Sequence, residues 1–311
     1  MKIIFFGSDE FAAVHLEHLL DGGHQILACV TGPDKPQGRG MKIVISPIKQ
    51  IALEHQIPCL QPLSLKSNEI VKELSSFGAD IFVVVAYGRL LTQEILNIPK
   101  ILCLNVHGSL LPKYRGAAPV NWAILNGDHE TGVTIQRMVL ALDAGDIIVQ
   151  EKMSIPDDEN ATQLRHRMAF VGAKLLVKLL GQPLPSQFFP QDEKQVSIAP
   201  KLTKEMAAIN WNHTALSIMN QVRGLQPWPG AYTYHHGKML KITKVQLSTD
   251  NKSQFKCGQV MSVSKLGFNV ACADYGLVIK EVQPEAGKVM PASSFVAGYK
   301  IVPGSLLDNS K

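Results

Sequence analysis

Three polar residues near the middle of the chain have the types and spacing needed for proton chemistry. Asn105 and His107 follow the apolar run 101–104, and in an extended segment two side chains this far apart point to the same side. Asp143 lies in a turn-like LDAGD segment before the strand-like run 147–149. An imidazole beside a carboxylate can move protons near neutral pH, and a neighbouring amide can stabilise an oxyanion.

No serine or cysteine is placed beside these three residues as an obvious nucleophile, although Ser109 is close to them in the sequence. The pattern therefore predicts that the substrate supplies the attacking group, for which an amine is a natural candidate. The same residues also fit structural roles. A histidine at the end of a strand is often part of the core, and an aspartate before Ala-Gly often forms a turn.

The first half of the chain alternates strand-like and helix-like segments. A helix is expected to begin at Ser8 or Asp9, and DIFVVVA is typical of a central parallel strand buried on both faces. The remaining predicted elements are strands over 2–6, 25–31, 80–86 and 101–104 and helices over 46–56 and 68–77. This alternation predicts an α/β fold with a Rossmann-like, doubly wound parallel sheet, whose site lies at the carboxyl ends of the strands.

Two nucleotide-binding motifs are absent from the sequence. FFGSDEF follows the first strand where a dinucleotide-binding protein would have GxGxxG, and no GxxxxGK[ST] occurs anywhere. Dinucleotide binding is therefore not expected.

The second half of the chain has a different organisation. Residues 181–210 contain four prolines and many polar residues, a composition typical of a linker. Five short strand-like runs follow, at 231–234, 239–247, 258–263, 268–271 and 276–282, and they predict a small OB-like β-barrel. The predicted division is a catalytic domain over 1–189, a linker over 190–207 and a C-terminal domain over 208–311.

The net charge of +5 is unevenly distributed. Residues 201–311 contain 13 lysines and arginines against 6 acidic residues, a net charge of +7, whereas residues 1–200 contain 18 against 20, a net charge of −2. A cationic C-terminal domain suits a polyanionic partner, although a solvated lysine-rich surface explains the charge equally well.

A second cationic stretch is PDKPQGRGMK, residues 33–42. Lys35, Arg39 and Lys42 lie there among two prolines and two glycines. The stretch is either a solvated surface loop or a cationic loop that enters a nucleic-acid groove.

The composition is that of an ordinary globular protein, and it also indicates a compartment. The chain contains no run long and apolar enough for a membrane span, and the apolar run among its first residues is too short for a signal peptide. Its five cysteines are widely scattered, with no CxxC pair. A cytoplasmic monomer without a membrane partner, disulfides or a metal is expected.

The segment NVHGSLLPKYRGAAP, residues 105–119, followed by GDHETGVTIQRMVLALDAGDII, residues 127–148, resembles the folate-dependent formyltransferases. KIIFFGSDEFAAVHLEHLL resembles the opening strand and helix of that family, and VVVAYGRLL resembles its central strand. APKLTKEMAAINW and RGLQPWPGAYT resemble the members that act on an aminoacylated tRNA. The similarity extends over essentially the whole chain.

The resemblance implies a reaction and a set of partners. The formyl donor would be 10-formyltetrahydrofolate, and the acceptor would be the α-amino group of initiator methionyl-tRNA. Asn105, His107 and Asp143 match the catalytic residues of the family. A formyltransferase for a small amine, such as glycinamide ribonucleotide or an amino sugar nucleotide, would share these three residues and is the alternative.

The resemblance also assigns binding residues. The residues expected to contact the folate are Ser109, Leu110, Leu111, Pro112, Val85, Tyr87 and Gly88. Those expected to contact the tRNA are Lys35, Arg39 and Lys42, with further contacts from the C-terminal barrel.

Overall fold

The computed structural model of the chain describes residues 1–37, 42–251 and 254–308. Two parts of the chain are each compact. The first unit consists of Met1–Pro119, Glu130–Ser154 and Arg165–Ala199, and the second of Val120–His129, Ile155–Leu164 and Pro200–Lys311.

The strands of the first unit are β1 (Lys2–Gly7), β2 (Gln25–Val30), β3 (Lys35–Gln37), β4 (Lys42–Val44), β5 (Cys59–Leu60), β6 (Ile81–Val85), β7 (Leu102–His107), β8 (Arg115–Gly116), β9 (Glu130–Arg137), β10 (Ile147–Ser154) and β11 (Ile198–Ala199). The helices of this half of the chain are α1 (Glu10–Asp21), α2 (Pro47–Glu54), α3 (Asn68–Ser76), α4 (Gln93–Leu96), α5 (Pro119–Leu125) and α6 (Ala161–Leu180), with a 3-10 turn at Glu193–Gln195.

The main sheet of the first unit has the order β10-β9-β7-β6-β1-β2-β5. The strands from β7 to β5 are parallel, which confirms the predicted doubly wound sheet, and β9 and β10 extend it in antiparallel pairing beyond β7. All five residues of β6 are buried, as its continuous apolar sequence predicts for a strand covered on both faces.

The helix ends follow the capping residues in the sequence. Asp9 caps α1, and its carboxylate accepts hydrogen bonds from the backbone N–H groups of Phe11 and Ala12 at 3.0 and 3.2 Å. Ser46 caps α2 in the same way. Each cap satisfies backbone donors that have no partner inside the helix, so the two helices begin where the sequence predicts.

The second unit contains the strands β12 (Tyr232–His235), β13 (Lys238–Asn251), β14 (Val260–Ser264), β15 (Gly267–Ala271), β16 (Tyr275–Pro284) and β17 (Met290–Pro291), the helices α7 (Ala215–Gly224) and α8 (Ala292–Tyr299), and a 3-10 turn at Lys204–Ala207.

These strands form an antiparallel sheet in the order β12-β13-β16-β15-β14, with β17 beside β16. The segment 305–308 hydrogen-bonds to both edge strands, since Tyr234 pairs with Asp308 while the N–H of Val260 donates to the carbonyl of Ser305. It connects the two edges of the sheet and so closes a barrel around a buried apolar core. The predicted antiparallel barrel domain is confirmed.

Within the described ranges, no helix is long and apolar enough to cross a membrane.

His15 is a buried titratable residue of α1. Its Nδ1–H donates to the carbonyl of Phe11 at 2.7 Å, and its Nε2, beside Gly172, has no hydrogen-bond partner among the described residues. Burial, with smaller electrostatic contributions from the neighbouring His18 and Arg165 side chains, lowers the pKa of His15 to about 4. The ring is therefore neutral in the folded chain at neutral pH.

This burial predicts an acid-sensitive contribution to stability. Below about pH 6.5 the unfolded chain protonates His15 while the folded chain does not, so the free energy of unfolding falls as the pH drops, until the folded ring also titrates near pH 4. The loss from this group is about 2 kcal/mol between pH 7 and pH 5. Denaturant unfolding should show His15→Leu losing less stability over this interval than the unsubstituted chain. The exposed-site variant His55→Leu is the control; equal pH dependence in the His15 variant would contradict the expectation.

Candidate active site

Neighbouring strands of the sheet place Asn105 and His107 on one face. In the antiparallel register of β7 with β9, Asn105 lies opposite Gln136 and His107 opposite Thr134. Because side chains alternate along a strand, these four polar side chains share a face, while Val106 points to the other side. The spacing of Asn105 and His107 therefore places both side chains on one face of the sheet, as predicted from the sequence.

The carboxylate of Asp143 lies at the centre of this polar group. Its Oδ1 is 3.5 Å from Nδ2 of Asn105, 3.6 Å from Nδ1 of His107 and 3.3 Å from Nε2 of Gln136. Its Oδ2 accepts a hydrogen bond of 2.9 Å from the backbone N–H of Gly116. The side chains of His107 and Asp143 are only 7% and 11% exposed. The structure thus brings together all three residues predicted to be catalytic.

A main-chain carbonyl fixes the state of the histidine ring. Nε2 of His107 lies 2.9 Å from the carbonyl oxygen of Tyr114, and since a carbonyl only accepts hydrogen bonds, Nε2 must carry the proton. Nδ1 then faces the carboxylate of Asp143.

The backbone around Asp143 has an unusual conformation. Asp143 has a φ of +51°, in the left-handed region that residues with a Cβ rarely occupy. Its carbonyl and that of Gly145 accept hydrogen bonds of 2.7 and 2.8 Å from the side-chain amide of Gln191. A Cβ at Gly145 would lie 1.7 Å from the carbonyl oxygen of Arg137, so this position of the DAG sequence requires glycine.

The loop after β7 is held by side chains of the antiparallel strands. The hydroxyl of Thr134 donates to the carbonyl of Ser109 at 2.6 Å, and the amide of Gln150 donates to the carbonyl of Leu111 at 2.9 Å. The hydroxyl of Ser109 itself donates to the carbonyl of Lys113 at 2.6 Å. The Ser109 hydroxyl is therefore engaged in a hydrogen bond inside the loop.

The residues predicted to contact the folate lie after two adjacent strands. Val85 ends β6 and pairs with Val106 of β7, and Tyr87 and Gly88 follow it. Val85 and Tyr87 are buried, and burial raises the pKa of the Tyr87 hydroxyl, whereas Gly88 is exposed and has a φ of +76°. Ser109–Pro112 follow β7. Contact of either segment with a folate stays a prediction.

The described ends of the cationic stretch lie in the paired strands of a short β3–β4 hairpin. Lys35 lies in β3 and Lys42 in the antiparallel β4, while Arg39 lies outside the described residues. Contact of these three residues with RNA stays a prediction.

A polar network forms the base of this hairpin. Nζ of Lys49 lies 2.5 Å from a carboxylate oxygen of Asp34 and 2.8 Å from the amide oxygen of Gln61, whose amide nitrogen donates to the other oxygen of Asp34 at 2.7 Å. The hydrogen bonds from Lys49 and Gln61 lower the pKa of Asp34. The network joins the start of the hairpin to α2 and to the segment after β5.

Three contacts of Asp143 are not predicted from the sequence: those of Gln136, Gln191 and the N–H of Gly116. For Gln136 a signal exists, because Thr134 and Gln136 are polar while Val133 and Ile135 are apolar, an alternation that marks one polar face of a strand. Gln191 lies 48 residues after Asp143, in the part of the sequence that indicates a linker, and no local pattern identifies it.

Comparison with known proteins agrees with this geometry. A family model described as formyl transferase matches residues 1–180, and one described as formyl transferase, C-terminal domain, matches residues 201–300. The chain belongs to the formyl transferase family. The resemblance noted in the sequence is thereby confirmed.

Individual relatives of this formyl transferase cover nearly its whole length. A methionyl-tRNA formyltransferase of Citrifermentans bemidjiense is 42% identical over 99% of this chain and 96% of its own. One of Moorella thermoacetica is 44% identical over 99% of both chains. Among solved structures, an N-formyltransferase of Helicobacter canadensis, in complex with folinic acid and dTDP-3-aminofucose, is similar in fold, with a TM-score of 0.66 and 21% identity over 92% of this chain and 100% of that one.

The geometry predicts the effect of removing either His107 or Asp143. His107→Ala or Asp143→Ala should lower kcat for formyl transfer by about 100-fold or more, since each removes charge or a proton donor at the reacting centre. Steady-state rates with both substrates saturating provide the measurement, and thermal unfolding checks the fold. The exposed-site variant His55→Ala is the matched control. Near-normal turnover in a folded His107 or Asp143 variant would exclude that residue from the chemistry.

Proposed function

We propose that the chain transfers the formyl group of 10-formyltetrahydrofolate to the α-amino group of initiator methionyl-tRNA. The observation that carries the proposal is the convergence of Asn105 and His107 on Asp143, with the nearby Ser109 hydroxyl engaged in its own loop. A site with a proton-transfer pair, an amide donor and no available serine suits an amine that attacks from the substrate.

In this mechanism the amine nitrogen forms a bond to the formyl carbon, and the formyl oxygen takes the negative charge of a tetrahedral intermediate. The amide of Asn105 and the cationic ring of His107 stabilise that oxygen. The bond from the formyl carbon to N10 of the folate then breaks, the amine loses a proton and N10 gains one. Asp143 orients His107 and assists in moving these protons.

Exposed apolar side chains next to the site support binding of the folate ring. Val139, Leu140 and Leu142 lie in the loop that leads from β9 to Asp143, and their side chains are exposed. Large apolar side chains exposed beside buried polar groups are typical of ligand sites, where a flat ring can cover them. The pterin of the donor would lie against this loop.

Two observations support a tRNA acceptor over a small amine. Both named relatives are methionyl-tRNA formyltransferases that align over nearly the entire chain, whereas the Helicobacter structure that binds an amino sugar nucleotide is only 21% identical. In addition, Lys238, Lys265 and Lys288 of the second unit are exposed, as a surface that contacts phosphates requires. The reaction would take place in the cytoplasm, where charged tRNA is used.

The acceptor can be tested directly. The purified chain with 10-formyltetrahydrofolate should formylate methionyl initiator tRNA at least about 100-fold more efficiently, in kcat/KM, than glycinamide ribonucleotide or an amino sugar nucleotide, because only the tRNA has an extended phosphate backbone that can make many contacts with lysines. Product is measured as formylmethionine released from the tRNA and as formylated small amine by mass spectrometry. Preferential formylation of either small amine would reject the tRNA as the acceptor.

The cationic second unit predicts a salt-dependent contribution to tRNA affinity. Replacing Lys238, Lys265 and Lys288 together by glutamine should weaken binding and reduce the slope of log K against log salt by about one for each phosphate contact that is lost. The measurement is tRNA affinity at several salt concentrations.

A control with the same loss of charge separates local contact from overall attraction. Lys66, Lys72 and Lys178 are exposed lysines of the first unit, and their triple replacement by glutamine changes the net charge equally. An equal change of slope in both triple variants would show that the cations of the second unit make no phosphate contacts of their own. Substitution is easier to interpret than removal of residues 208–311. Asn121 belongs to the second unit and donates to the carbonyl of Gly224, so a deletion of the C-terminal residues would cut through that unit.

A further inference from the structure

The segment 191–199 is bonded to the loop that follows β7. The hydroxyl oxygen of Ser197 accepts a hydrogen bond of 2.9 Å from the N–H of Tyr114, and its carbonyl accepts one of 2.9 Å from the N–H of Arg115. The short strand β11 continues this pairing in parallel with β8, so that Ala199 lies opposite Gly116. The Tyr114 carbonyl that contacts His107 and the Gly116 N–H that contacts Asp143 both belong to this paired stretch.

Gln191 lies at the start of this segment and contacts the Asp143 turn. Its amide nitrogen donates to the carbonyls of Asp143 and Gly145, at 2.7 and 2.8 Å, and lies 3.3 Å from the amide oxygen of Gln136. An amide has two N–H groups, and the two shorter contacts are with the carbonyl of the left-handed residue and with the carbonyl two residues after it. Gln191 thus fixes the backbone from Asp143 to Gly145, directly after the Cα that carries the carboxylate.

Arg115 fixes the orientation of that amide. Its Nε–H donates to the amide oxygen of Gln191 at 2.9 Å, so the nitrogen end of Gln191 must face the two carbonyls. Two further nitrogens of Arg115 contact the carboxylate of Glu193 at 2.8 and 3.3 Å. The Arg115 side chain is 9% exposed and that of Glu193 is 73% exposed, so Arg115 is the buried member of this pair.

We propose that Gln191 and Arg115 are positioning residues for formyl transfer: through the Asp143 turn they keep the carboxylate of Asp143 facing His107 and Asn105. This inference rests on the proposed function. Neither side chain contacts the atoms that react. Both act by keeping Asp143 in a conformation that a residue with a Cβ rarely adopts by itself.

The first test is the separation of kcat from KM. Gln191→Ala should lower kcat by about 10- to 100-fold, because a displacement on the order of 1 Å at a catalytic group can have an effect of that size. The KM values for 10-formyltetrahydrofolate and methionyl-tRNA should stay within about threefold, since Gln191 contacts the turn, Gln136 and Arg115 and has no proposed contact with either substrate. Gln191→Glu, which has nearly the same shape, should also lower kcat, because its oxygen would face the two carbonyls. If Gln191→Ala does not fold, the kcat of Gln191→Glu decides whether Gln191 has a positioning role.

The second test asks whether Gln191 acts through Asp143. In an Asp143→Ala background, Gln191→Ala should lower kcat by less than about twofold further, because the group that it positions is gone. The same reasoning applies to Arg115: Arg115→Lys, which lacks the Nε–H, should lower kcat alone and have little further effect in the Gln191→Ala background.

Matched variants on the same segment serve as controls. Gln195 is an exposed glutamine whose amide donates to the carboxylate of Asp192 at 2.9 Å, away from the Asp143 turn, so Gln195→Ala should leave kcat unchanged. Glu193→Gln should have a small effect, since the Glu193 side chain is 73% exposed and the glutamine keeps an oxygen that can accept from Arg115.

Three outcomes have distinct meanings. Unchanged kcat in folded Gln191→Ala and Gln191→Glu would overturn the positioning role while leaving the proposed function intact. The same loss of kcat from Gln191→Ala with and without Asp143 would also overturn it, because the effect would then be independent of the turn. Absence of formylmethionyl product from the unsubstituted chain would reject the proposed function itself.

Discussion

The carboxylate of Asp143 is the point on which the site depends. One oxygen lies within 3.6 Å of nitrogens from Asn105, His107 and Gln136, and the other accepts the N–H of Gly116. A charge that is 11% exposed is stable only when polar groups surround it, so several elements of the fold must converge here. The sheet supplies three of these groups and the loop after β7 supplies the fourth.

The elements of the fold are largely predictable because their signals are local. Asp9 and Ser46 cap helices where the sequence predicts them, and the apolar run in β6 is a buried parallel strand. The reversal of direction at β9 is not predictable in this way, since it depends on pairing between β7 and a strand separated from it by a loop and a helix. The same limit applies to 305–308, whose few residues close the barrel through long-range hydrogen bonds.

The candidate site shows the same contrast between local signals, which are predictable, and long-range contacts, which are not. The spacing of Asn105 and His107 is local, and it correctly predicts a shared face. Asp143 is predicted from its residue type and its place before a strand. Gln191 is not predicted, because its two contacts with the turn depend on the long-range pairing of residues 191–199 with the loop after β7. Sequence pattern identifies the groups that carry charge, whereas the groups that orient them become visible only in three dimensions.

The backbone also determines which ring nitrogen of His107 carries a proton. The carbonyl of Tyr114 accepts the Nε2–H of His107, so the only proton that can lie between the ring and Asp143 is one on Nδ1. The ring and the carboxylate are thus held beside each other in a nearly buried setting, where electrostatic interactions are poorly screened. In this way a main-chain carbonyl at Tyr114, a residue with a φ of +62° whose N–H donates to the hydroxyl of Ser197, orients the ring of His107 toward Asp143.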